Sequence, residues 1–205
     1  MISLTILSTA IAVSLSLTPV CQVPAAIYHA AESFRPAPPF KNILVSKPGR
    51  FSISLPDGYP KPTLESSNVA SEVGRIKLSM YTSVKEEDGV CLVGYSDISS
   101  VKITPELKEE MLDGAKEGAL AQLNATLETE EGVLLDGHPG RSIRFISNND
   151  GITLRGRMDY YMVGKRLYQV GFIEIGDGVL DSESIENYFS SFKLTSTTKQ
   201  KKKKN

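Results

Sequence analysis

Three stretches of alternating apolar and polar residues stand in close order toward the end of the chain: Arg141 to Ser147, Ile152 to Val163 and Arg166 to Ile175. Asn148-Asn149-Asp150-Gly151 separates the first two, and Gly164-Lys165 separates the last two. A period of two sends alternate side chains to opposite faces of a strand, and so short a glycine-containing link permits only an antiparallel reversal. The segment therefore reads as an antiparallel meander, whose apolar face must be buried against another layer.

Other segments supply that layer and more strands. Phe51, Ile53 and Leu55 alternate with Arg50, Ser52 and Ser54 before Pro56-Asp57-Gly58 breaks the pattern, which predicts a strand and a turn. Ile76, Leu78 and Met80 share one face of Val73 to Val84, and Glu87-Asp88-Gly89 leads into Val90 to Tyr95, a predicted hairpin. Thr104-Pro105-Glu106 starts a helix: the hydroxyl caps free N–H groups, proline fits the first turn, and the acid complements the positive end. Leu107, Met111, Ala115, Ala119 and Leu123 give it an apolar stripe, Gly114 and Gly118 permit close approach to a sheet, and Lys108, Glu109, Lys116 and Glu117 fall on the solvated side. Asp181 to Tyr188 predicts a short helix, followed by the apolar Phe189, Phe192 and Leu194. Strands gathered around one long and one short helix predict an α+β fold with a largely antiparallel sheet flanked by helices.

A chain of 205 residues accommodates one such domain plus tails. Glu32 is the first charged side chain, and Lys199 and Lys201 to Lys204 concentrate five positive charges at the end. That leaves residues 32–198 with 18 basic against 24 acidic side chains, a balance of −6. An acidic body argues against nucleic-acid binding, which needs a cationic face for phosphates.

Residues 1–31 read as a signal peptide: Ile2 to Leu17 is apolar and Ser/Thr-rich, and Val23-Pro24-Ala25 offers small residues for cleavage near residue 25. Export to a periplasmic, lumenal or extracellular space follows. The competing readings are an uncleaved membrane anchor, since the uncharged stretch is long enough to span a bilayer, and lipid attachment at Cys21. Residues 32–48, with Pro36, Pro38, Pro39 and Pro48, read as a Pro-rich linker or a first edge segment; the folded domain is expected over 49–195. Residues 196–205 read as a disordered Lys-rich tail, with a weak, salt-sensitive attraction to anionic surfaces.

Four stretches in this order, Arg50-Phe51-Ser52-Ile53-Ser54-Leu55-Pro56, Gly137-His138-Pro139-Gly140-Arg141, Arg166-Leu167-Tyr168-Gln169-Val170 and Ser190-Ser191-Phe192-Lys193-Leu194, resemble the PsbP/Mog1-like superfamily. The resemblance covers roughly residues 49–195 and implies a helix-flanked antiparallel sheet, an α/β/α sandwich, that ends in a short helix and a Ser-Phe strand. Members include lumenal photosystem II accessory proteins, a nuclear transport factor and exported bacterial proteins without an assigned role. No functional residue of theirs matches a position here, so the resemblance implies fold and not function.

The inventory for catalysis is thin. His138 and His29 are the two histidines, too few for a histidine metal cluster, and no phosphate-cradling glycine loop, Cys-x-x-Cys pair or other cofactor motif is present. Cys91, Asp136 and His138 have the chemistry of nucleophile, orienter and base, but nothing in their spacing brings them together. The plainer reading makes Gly137-His138-Pro139-Gly140 a turn and Cys91 a half-buried strand residue. Arg155, Arg157, Asp159 and Tyr161 share one face of a strand, with Arg141 and Arg144 on the strand before it. Arg141, Arg155, Arg157, Asp159 and Tyr161 form a candidate recognition surface, against the alternative of a solvated or helix-covered face. The expectation is an exported, non-enzymatic binding or accessory protein whose partner is another envelope or lumenal protein. The alternative is an exported hydrolase with a site assembled from scattered residues.

Overall fold

The structure, a computed structural model, describes residues 42–71, 74–86, 88–98, 102–149, 151–176 and 182–195. The expected signal segment, the linker as far as residue 41 and the tail 196–205 lie outside them. Along the chain run β1 (Ile43–Ser46), β2 (Phe51–Ser54), β3 (Thr63–Ser71), β4 (Gly74–Lys85), β5 (Gly89–Asp97), α1 (Pro105–Gln122), β6 (Ala125–Leu135), β7 (His138–Asn149), β8 (Ile152–Val163), β9 (Arg166–Ile175), α2 (Ser182–Ser190) and β10 (Lys193–Leu194).

Seven strands form one sheet in the order β3-β4-β5-β9-β8-β7-β6, and β1-β2-β10 form a smaller one. Every pairing is antiparallel. The expected hairpin is β4–β5, the expected meander is β7–β8–β9, and β6 extends it by one strand. The α1 start follows its sequence: Thr104 caps it, its hydroxyl accepting from the Leu107 N–H at 3.2 Å, with Pro105 in the first turn.

Alternation divides the large sheet into two apolar faces. One carries Leu92, Ile143, Phe145, Met158, Tyr160, Met162, Leu167 and Ile173, and packs against Met111, Leu112, Ala115 and Ala119 of α1. Gly114 and Gly118 are buried on the same helix. Lys116, expected on the solvated side, is tucked in instead, 3.1 Å from Asp113 and 3.0 Å from Glu130. The other face carries Cys91, Val93, Tyr95, Tyr161, Tyr168, Val170 and Phe172. It is covered by Phe51, Ile53 and Leu55, by Tyr188 and Phe189 of α2, and by Phe192. Two helices and antiparallel sheets make the fold α+β, as expected. The second cover is a small sheet joined to a helix rather than a helix alone.

Two strands have no counterpart in the sequence expectation as separate elements: β3 and β6. β3 and β6 are the two edges of the large sheet, and most of their side chains are exposed on both faces, which removes the alternation that marks a half-buried strand. β1 lies inside the Pro-rich stretch 32–48 and realises its edge-segment alternative over Ile43–Ser46.

Two glycines are dictated by their neighbours. Gly89 opens β5 at φ +148, and a Cβ there would lie 2.1 Å from the Ile173 carbonyl oxygen. Gly156 lies opposite Phe145 across β7–β8, and a Cβ on it would approach the Phe145 ring to 2.3 Å. Phe145 is 1% exposed, so its ring has no vacant volume to retreat into. Gly156→Ala should therefore lower stability by about 1–3 kcal/mol through overpacking. Urea unfolding of the purified variant measures this, and an unchanged midpoint would show that the ring is free to move.

Candidate functional site

The possible nucleophile, base and orienter do not meet. Cys91 is 1% exposed in the middle of β5, and burial pushes its thiol well above the ordinary range, away from the reactive thiolate. Asp136 and Gly137, at φ 49 and 77, form the two-residue turn between β6 and β7. Both positive values are those of a type I′ hairpin link. His138 and Pro139 therefore start β7 instead of sitting in the turn. Cross-strand pairing runs from Cys91 to Phe172, from Phe172 to Arg157, and from Arg157 to Arg144. Cys91 is thus three strand spacings, about 14 Å, from Arg144, and His138 lies a further six residues, about 20 Å, along β7. Among the described residues no group of three or more His, Cys, Asp and Glu is placed to hold a metal ion.

The candidate recognition residues divide between the two faces. Arg155, Arg157, Asp159 and Tyr161 share the face covered by α2, as their alternation predicts. Arg141 pairs with Tyr160 and so lies on the α1 side, where it meets Glu109 at 3.1 Å, Glu130 at 3.0 Å and Asp113. It fastens α1 to the β6–β7 edge and is separated by the sheet from the other four.

Arg157 and Asp159 form the most buried charged pair on the second face, with side chains 12% and 2% exposed. Arg157 Nε donates to Asp159 Oδ1 at 2.9 Å and Nη2 to Oδ2 at 3.0 Å. The Tyr161 hydroxyl donates to Oδ2 at 3.1 Å. The Arg157 Nη1 reaches across to Glu186 of α2 at 2.8 Å, and the guanidinium lies 4.2 Å over the Phe189 ring. Burial alone would lower the Arg157 pKa; hydrogen bonds and charge from Asp159, with Glu186, outweigh it and hold the cation more firmly than usual. Arg144 meets the other Glu186 oxygen at 3.1 Å. Arg155 stays exposed, opposite Glu174, whose carboxyl is raised by burial and drawn partly back by the Arg155 charge. A narrow groove of about 120 Å³ runs between α2 and this edge.

A larger, open cleft of about 420 Å³ lies at another end of the molecule, where four chain segments converge. Arg50 comes from the β1–β2 link at φ 57, Lys165 from the β8–β9 link, and Leu194 and Thr195 from the end of β10. Arg166 forms the floor. Its Nε and Nη2 grip Asp97 at 2.7 and 2.6 Å, and Nη1 donates to the Pro48 and Gly49 carbonyls, both at 2.8 Å. The guanidinium lies 4.8 Å over the Tyr95 ring, and the Tyr168 hydroxyl donates to the Gly49 carbonyl at 2.8 Å. The hydrogen bonds that Arg166 donates to Asp97 are the main reason the Arg166 pKa is raised, against a smaller opposing effect of burial. Arg166 is paired with Asp97, and the exposed Arg50 adds a positive charge at the rim. Sequence reasoning did not assemble these residues. The Asp97–Arg166 pair becomes visible only when β5 and β9 are known to be neighbours, and the segments joining them hold 68 residues' worth of other elements, from Ile98 to Lys165.

No family model matches the chain, and no curated protein matches it. Among solved structures it is similar to the cyanobacterial PsbP (CyanoP) from Synechocystis sp. PCC 6803, at 14% identity and a TM-score of 0.49 over 75% of this chain and 91% of that one. It is also similar to PA94 from Pseudomonas aeruginosa, a protein of unknown function, at 10% identity and a TM-score of 0.38 over 73% and 90%. The first carries the family name to which the sequence motifs pointed. These are likenesses of fold, and neither bears on role.

The burial of Cys91 is directly testable. In the native protein, alkylation followed by peptide mapping should leave the Cys91 peptide unmodified, and modification should appear only with denaturant. Rapid labelling of the folded protein would contradict the described packing and reopen a thiol chemistry.

Proposed function

We propose that this chain is an exported, non-enzymatic binding protein, an accessory factor of the cell envelope or a lumenal compartment, which takes a carboxylate-bearing segment of a partner protein in the cleft under Arg50. The uncharged, apolar start of the sequence supports export. One observation carries the rest. At the cleft floor Arg166 is fixed by Asp97 and two backbone carbonyls, so the floor is preorganised, while the exposed Arg50 adds positive charge at the rim of an otherwise acidic body. Preorganised polar groups beside a local excess of one charge favour a complementary ligand and speed its encounter. The separation of Cys91 from His138 removes the arrangement on which the hydrolase alternative would have been built.

Mild crosslinking in the native envelope fraction, affinity capture and mass spectrometry test this reading. The expected result is a stoichiometric partner whose acidic segment crosslinks at Lys165. Arg50→Glu with Lys165→Glu should lower its recovery at least about tenfold, as like charges then face each other, while the melting temperature stays within a few degrees. Recovery of the same partner in unchanged yield by the charge-reversed protein would rule out the cleft as the recognition site.

A further inference from the structure

Among the described residues, the outer face of the small sheet is exposed along its β1 edge. Ile43 and Val45, each 60% exposed, are alternate residues of the edge strand β1 and point the same way. Across the sheet Val45 pairs with Ser52, and Ser52 with Lys193, so an exposed lysine stands two strands from Val45 on the same face. Lys47 follows Val45 by two residues and is also exposed. From Asn42 onward the first acidic residue in chain order is Asp57, which comes after β2, past the Ile43 end. The Leu44, Phe51, Ile53 and Leu194 side chains fill the opposite, inner face. Two aliphatic residues thus project from one strand with cations at one end and one flank.

Both continuations of the chain leave from this same sheet. The described residues begin at Asn42, one before β1, and end at Thr195, one after β10. Beyond Thr195 the sequence carries Lys199 and Lys201 to Lys204. The sequence that carries these five lysines continues from the β10 end of the sheet.

We infer that the outer face of the small sheet is a docking surface for an anionic lipid bilayer, with Ile43 and Val45 entering the headgroup boundary and Lys47 and Lys193 meeting anionic headgroups. Reversible surface binding combines a shallow apolar contact with electrostatic attraction, since neither alone holds a protein to a membrane. Each cation near such a surface strengthens binding roughly fivefold, falling off within a Debye length. This surface shares no residue with the cleft under Arg50, and its assignment does not depend on the proposed protein partner.

Co-sedimentation of the full-length chain with vesicles of phosphatidylcholine, and of phosphatidylcholine with phosphatidylglycerol, tests the assignment. The expected result is binding to the anionic vesicles at least about tenfold tighter than to the neutral ones, weakening as salt is raised. Ile43→Ser with Val45→Ser should weaken the anionic binding roughly tenfold, and Lys47→Glu with Lys193→Glu, both at exposed positions, at least as much. Circular dichroism of each variant confirms the fold. Binding to neither vesicle, or equal binding to both, would overturn the proposal; the latter points to insertion of the apolar start of the chain. Anionic binding unchanged by the Ile43 and Val45 substitutions would also overturn it, either because the tail acts alone or because another part of this chain covers β1. Loss of vesicle binding with crosslinks at Lys165 intact would discard this surface and leave the cleft reading standing.

Discussion

A carboxylate that is 2% exposed inside an aromatic layer is tolerable only if every lone pair facing the interior is answered, and at Asp159 Arg157 and Tyr161 do so. The same guanidinium continues outward to Glu186 and over Phe189, so the pair that neutralises the buried charge also fixes α2 to the sheet. Once α2 is fixed, Tyr188 donates to the Leu92 carbonyl at 3.0 Å, and the chain leaves the helix with Phe192 stacked 6.2 Å from Tyr161. β10 then pairs with β2. The second layer follows from that one ion pair outward.

Arg166 does the same at the other end of the layer, holding the β1–β2 turn to the sheet through Asp97 and the Pro48 and Gly49 carbonyls. Arg141 joins α1 to the β6–β7 edge. Arg157, Arg166 and Arg141 thus each join separate elements through ion pairs. Removing either partner of the Arg157–Asp159 pair would strand a buried charge, a different effect from trimming a recognition residue. Arg50 beside the cleft, and Lys47 and Lys193 on the small sheet, are exposed instead.

How far the sequence revealed this depends on burial. The meander from Arg141 to Ile175 and the β4–β5 hairpin were legible because each strand has a buried face and the links contain glycine. The α1 start was legible because Thr104, Pro105 and Glu106 act locally. β3 and β6 were not, since edge strands exposed on both faces carry no alternation. The common face of Arg155, Arg157, Asp159 and Tyr161 followed from a period of two. The place of Arg141 on the opposite face did not, because the register between neighbouring strands is set by pairing. The cleft was invisible for the same reason: its residues come from four separate segments that only the strand order β5-β9-β8 and the β2–β10 pairing bring together.

The dependence of the second layer on one buried pair is best measured by a double-mutant cycle on Arg157→Met and Asp159→Asn, unfolding each protein in urea and following hydrogen exchange in α2. Each single variant should lose about 3–5 kcal/mol, and the double variant should lose less than the sum by about 1–3 kcal/mol, with α2 exchanging early in all three. Additive losses, with α2 as protected as in the parent, would show that the layer is held by its aromatic packing and that the ion pair is incidental to it.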